Sequence, residues 1–131
     1  MKKLRALIFV SLLTASSIAG DLAGSFKQAA ALAVAQDKDR ATRIYSQIDL
    51  LPYYQEKYSP VFQSCLKSTP HPDTSPFSFV VAIGADGHVL RLYSDHETNI
   101  LACVTPTLLR DTFPKPPISP YYMQFSMSFG Q

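Results

Sequence analysis

Two cysteines, three histidines and a Ser-Asp-His run are the residues whose types reach beyond packing. Cys65 and Cys103 are the full cysteine complement. An even count behind an export leader (below) favours a disulfide. Such a bridge would close a loop of 38 positions, worth roughly 3–4 kcal/mol through the unfolded chain. Two buried thiols are the alternative. Two cysteines with distant histidines lack the ligand spacing of a zinc site, so no metal is expected. The histidines are His71, His88 and His96, and Ser94-Asp95-His96 holds the three types of a hydrolytic triad. Adjacent residues on one loop rarely converge on a substrate, and no G-x-S-x-G elbow is present. Glu56, Glu97 and the scattered aspartates lack the paired context of carboxylate catalysis. No P-loop, G-x-G-x-x-G, H-E-x-x-H or C-x-x-C occurs, so no cofactor is expected. A small hydrolase built around His96 is the enzymatic alternative to a non-enzymatic chain.

The tyrosines suggest a different kind of chemistry. Tyr53, Tyr54, Tyr58, Tyr93, Tyr121 and Tyr122 make a tyrosine-rich set in a chain without tryptophan. Tyrosine is frequent at recognition surfaces, where it offers area and a hydroxyl at low entropic cost. Filling of a small core is the competing use.

The elements that must position these residues follow from pattern. Residues 1–20 read as a secretory leader. Lys2, Lys3 and Arg5 precede an apolar stretch through Leu13, and Ser17 and Ala19 suit a signal peptidase cutting near Ala19 or Gly20. The apolar run falls short of the roughly 20 residues that span a bilayer, so no membrane span is expected after cleavage. The precursor carries a formal charge of +2, but three of its twelve basic residues lie in the leader. The remaining nine face ten acidic residues, which gives no basic footprint for nucleic acid. A chain of 131 residues with 47% hydrophobic and 17% charged side chains suits one globular domain outside the cytosol.

Residues 21–67 form a helical N-terminal segment. Positions 21–48 are rich in Ala and Gln and free of proline, which favours helix. Phe26, Ala30, Ala33, Val34, Ala41, Ile44, Tyr45 and Ile48 make a loose 3.6-residue stripe, interrupted at Asp37–Arg40. Asp49 is placed to cap a further helix with Pro52 in its first turn, and Pro60 is expected to end or bend it. The proline-rich stretch Ser68–Pro76 marks a change of architecture.

Residues 68–131 then carry strands. Phe77, Phe79, Val81 and Ile83 alternate with smaller residues. Gly84-Ala85-Asp86-Gly87 supplies the backbone angles of a tight reversal, and His88–Tyr93 forms the return strand. Residues 97–112 read as helix, with Thr105 as a fresh cap beside Pro106. Tyr121, Met123, Phe125, Met127 and Phe129 alternate with Tyr122, Gln124, Ser126 and Ser128, a strand with one buried face. The fold class is α+β.

The FVVAIGADGHVLRLYS hairpin, Cys103 in the following helix, FPKPP and the closing YYMQFSMSF strand stand in a telling order. Over residues 61–129 the chain resembles the C-terminal domain of TonB-type proteins. It is closer to the paired-cysteine variant of adventurous-gliding motility (AgmX-type) proteins. The resemblance implies a helix packed on a three-stranded antiparallel sheet, and docking of short partner segments, often by strand addition. A TonB-type transducer has a membrane anchor and a proline-rich spacer ahead of this domain. Here a leader and helices stand there instead, so energy transduction is not carried over. The functional expectation is an exported, non-enzymatic module that binds another exported or envelope protein. Tyr121, Tyr122, Gln124 and Ser126 of the last strand would provide the contact. An inhibitor or immunity-type protein that neutralises an enzyme or toxin in the same compartment is the alternative.

Overall fold

A computed structural model describes residues 21–130; the leader assigned to residues 1–20 lies outside the described residues. Three layers build the architecture. A three-stranded antiparallel sheet of order β2-β1-β3 lies in the middle, formed by β1 (Phe77–Ile83), β2 (Val89–Ser94) and β3 (Tyr121–Met127). One face carries α1 (Phe26–Gln36), and the other carries α3 (Leu51–Ser68) and α4 (Asn99–Arg110). The chain is α+β.

The period-2 pattern of β1 sends Phe77, Phe79, Val81 and Ile83 into the larger core. There they meet Tyr54, Tyr58, Phe62, Ile100, Val104, Leu108 and Phe125. The opposite face of the sheet is also covered. Val80, Ala82, Tyr93 and Tyr122 pack against Ala29, with Phe26, Ala30 and Ala33 around it. Alanines on that side of α1 let the helix lie close to the sheet, which is the use made of the Ala-rich stretch. The helical stripe differs from the expected one, because Val34, Ile44 and Ile48 are 62%, 48% and 68% exposed. Tyr45 of that stripe is buried, and Thr42 and Ser46 are buried beside it in place of the exposed positions.

Several boundaries move for identifiable reasons. Asp49 caps nothing. α2 (Arg40–Ile44) runs through a π-helical stretch, Tyr45–Leu50, directly into α3. The wide turns stand just ahead of Pro52, whose missing N–H breaks the ordinary i→i−4 ladder. Pro60 does not end α3, which continues to Ser68. Phe62 and Cys65, beyond the proline, are buried on the same core as Tyr54 and Tyr58. That burial offsets the roughly 3 kcal/mol an internal proline costs. α4 likewise runs through Pro106. Thr98 is its cap, accepting from Leu101 N–H at 3.1 Å, whereas the Thr105 hydroxyl donates back to the Leu101 carbonyl at 2.7 Å. The return strand begins one residue later than expected, and His88 forms an isolated bridge to Thr112.

The hairpin turn closes with Gly87 N–H on the Gly84 carbonyl (2.9 Å) and Gly84 N–H on the His88 carbonyl (2.8 Å). Gly87 has φ +90°, and a Cβ there would lie 2.0 Å from the Phe113 carbonyl oxygen. Phe113 N–H in turn donates to the Gly87 carbonyl at 2.8 Å, so the turn also anchors the connector leading to β3. Cys65 and Cys103 are disulfide-bonded, with Cα atoms 5.9 Å apart, and tie the end of α3 to α4.

Candidate partner-binding site

β3 is the strand on which the sequence placed partner contact. The two tyrosines named for that contact are interior residues: Tyr121 and Tyr122 are each 2% exposed. Tyr121 meets Tyr45 edge-on at 5.0 Å, and burial raises its phenol pKa. Tyr122 faces α1, and its hydroxyl accepts from Ala23 N–H at 3.0 Å. The sequence reading took Tyr122 as outward because it assumed one buried face; α1 covers the second. Gln124 is half-buried and Ser126 exposed. The Ser126 hydroxyl lies 2.9 Å from that of Ser78 on β1.

The outer edge of β3 follows from the ladder. β3 pairs with β1 in a regular register from Phe77↔Met127 to Ile83↔Tyr121. Tyr122 N–H points away from β1, donating to Gln36 Oε1 at 2.8 Å. Alternate residues of an antiparallel strand turn their backbone groups to the same side. Those of Gln124 and Ser126 therefore also face outward. Ser78 agrees from the other side of the sheet: its N–H and C=O both meet Asp95, beyond β1 toward β2.

Helices flank this edge on both sides. Toward α3 lies a groove of about 490 Å³, where Tyr54, Gln55, Ser59, Phe62 and Gln63 face Phe125 and Met127. Toward α1 lies one of about 290 Å³, with Ala33, Val34, Gln47 and Met123. Leu51 and Gln124 line both. The ring of Tyr54 stacks on Phe125 at 3.9 Å and fixes the α3 wall; burial raises its phenol pKa. The strand itself is uncharged, since Pro116–Gly130 contains no charged side chain, and the α1-side groove carries the carboxylate of Asp37.

The other sheet edge is different. β2 borders a groove of about 890 Å³ against α4, lined by Leu90, Leu92, Leu101, Pro106 and Leu109. An irregularity between Ala82 and Ile83 leaves Leu90 without a partner in the register, and Arg91 stands mid-strand. A bulge and a charge are devices by which natural sheets discourage edge pairing. β3 carries neither.

A buried polar node holds the α3 wall to the connector before β3. Asp111 Oδ1 accepts from the Tyr53 hydroxyl and from Lys57 Nζ, each at 2.7 Å, and Oδ2 accepts from the Tyr58 hydroxyl at 2.7 Å. Burial works to raise the Asp111 pKa, but hydrogen bonds from Lys57, Tyr53 and Tyr58 outweigh it and hold the carboxyl below its ordinary range. Its hydrogen bond raises Lys57 in turn. Burial first, then Asp111, raises Tyr58.

The residues read for hydrolytic chemistry form no triad among the described residues. His96 Nδ1 is 2.9 Å from Asp95 Oδ1, but that carboxylate also accepts the backbone N–H groups of Ser78 and His96. No hydrogen bond joins Ser94 to the pair. His88 sits with Asp86 at 2.9 Å on the turn, and His71 lies in the connector, where its carbonyl accepts from Asn99. No group of three or more His, Cys, Asp or Glu able to hold a metal occurs among the described residues. No described helix is long and apolar enough to cross a membrane.

Sequence reasoning missed Gln36 and Asp111. Each is a single polar residue at a helix end, and its partners lie 53 to 86 positions away. The only local signal was Tyr53 and Lys57 one turn apart on α3. No protein-family model, curated protein or solved structure matches the chain.

Proposed function

We propose that this chain is an exported, non-enzymatic interaction module. Its TonB C-terminal-like half receives an extended segment of another envelope protein along the outer edge of β3. The observation that carries this reading is the edge itself. The strand is regular and uncharged, with the outward backbone groups of Gln124 and Ser126 set between two grooves. Strand addition takes affinity from such backbone groups and specificity from flanking pockets. The AgmX-like order of hairpin, cysteine-bearing helix and closing strand supports the same mode. The bonded Cys65–Cys103 pair suits an oxidising compartment.

The test is a photo-crosslinking residue at Ser126, with one at Leu90 on β2 as control, in the tagged protein in its native compartment. One dominant protein adduct at Ser126 and none at Leu90 is the expected result. If that partner is an enzyme or toxin silenced in the complex, the module is of the inhibitor or immunity type. A folded protein giving no adduct at Ser126, or adducts only at Leu90, overturns the β3 reading.

A further inference from the structure

The side-chain amide of Gln36 behaves as a fragment of a neighbouring strand. Its Oε1 accepts from Tyr122 N–H at 2.8 Å, and its Nε2 donates to the Pro120 carbonyl at 2.9 Å. An added strand would satisfy the Tyr122 end of the edge with the same kind of amide group. Gln36 is the last residue of α1, so the helix covering one face of the sheet also reaches round to close one end of its open edge. Elsewhere along Tyr121–Met127 the strand carries no charge, proline or bulge to discourage pairing. The edge is therefore guarded at one point, by a group on a rotatable side chain.

Resting on the strand-addition reading above, we infer that Gln36 is a removable edge cap. With the cap in place an incoming segment pairs with Gln124 and Ser126 alone. When the side chain swings out, pairing extends to Tyr122. The residue thus sets the length of the paired segment and fixes where it begins. The occupant is an extended segment without acidic side chains, because the strand and its α3 wall offer amides, hydroxyls and apolar surface, and the charge beside the cap, Asp37 in the α1-side groove, is negative.

The probe is a synthetic peptide of residues 119–129 with a lysine tail for solubility, titrated into isotope-labelled protein and followed by backbone NMR. Gln36→Ala removes the cap. Gln36→Asn keeps the amide but is one methylene too short to reach. Both variants are expected to bind the peptide about 10-fold more tightly, as the Tyr122 N–H and the Pro120 carbonyl held by the cap become available. Without peptide, the Tyr122 amide is expected to exchange at least about 10-fold faster in both variants, with α1 amides unchanged. Equal affinity for wild type and variants overturns the cap and leaves strand addition standing. Loss of protection throughout α1 also overturns it, making Gln36 a docking residue for the helix. Shifts confined to β2 and α4, or no binding by any of the three proteins, overturn both readings.

Discussion

Replacing Asp111 with alanine tests the claim that α3 is held in place by one buried carboxylate. Asp111 accepts three hydrogen bonds at 2.7 Å, and its loss affects the donors unequally. Tyr58 is fully buried, so its hydroxyl is left without a partner, at a cost of about 1–3 kcal/mol. The Lys57 side chain is 39% exposed and turns to water, so its lost ion pair counts for under about 1 kcal/mol. Tyr53 is partly exposed and contributes about 0.5–1 kcal/mol. The total is about 3 kcal/mol, and at roughly 4–8 °C per kcal/mol for a domain near this size Tm falls by roughly 12–24 °C.

The assay is thermal and urea unfolding of wild type, Asp111→Ala, Tyr58→Phe and the double variant. If the orphaned hydroxyl is the main cost, Tyr58→Phe recovers about 1–2 kcal/mol in the Asp111→Ala background. The pH dependence has a definite sign. The folded-state pKa of Asp111 lies below its ordinary value of 3.8. The carboxylate's contribution is therefore fully present above about pH 4 and is lost as pH falls through the depressed folded value. Asp111→Asn should remove this acid-side loss. A cost below about 1 kcal/mol, or strict additivity with Tyr58→Phe, would refute the assignment of Asp111 as the node.

Two further perturbations probe the frame around the edge. Cys103→Ser should lower stability by roughly 3–4 kcal/mol, as a loop of 38 positions is released in the unfolded chain; matched urea curves with and without reductant check it. Gly87→Ala should cost about 3 kcal/mol, since it places a Cβ in a positive-φ turn against the Phe113 carbonyl. Amide exchange of Phe113, which donates to Gly87, should rise along with the global loss.

The strands were legible in the sequence because their alternation is local. Phe77, Phe79, Val81 and Ile83 announce one buried face, and the Asp-Gly turn fixes the hairpin. The cysteine pairing was legible because two cysteines leave only one intrachain partner each. What the sequence hid depends on distant packing. Pro60 and Pro106 carry a local helix-breaking signal, which burial of Phe62, Cys65 and Leu108 overrides. Tyr122 read as outward because nothing within β3 tells that α1, more than eighty residues earlier, covers its face. The candidate site was legible only in part: Ser126 is exposed and Gln124 half-buried, whereas Tyr121 and Tyr122 belong to the interior. Gln36 left no trace, since its partners at Pro120 and Tyr122 are set by the tertiary fold alone.

The central claim is that the outward backbone of β3 recruits a partner. Ser126→Pro tests it most directly. It deletes an N–H that points away from β1, a position where an edge strand tolerates proline, and so spares the β1–β3 ladder. The measurement is capture of the native partner by a photo-crosslinker at Gln124 in this variant, with amide exchange of Phe79 and Val81 confirming an intact sheet. Loss of most of the adduct from a folded variant is the predicted result; undiminished capture would contradict strand addition at β3.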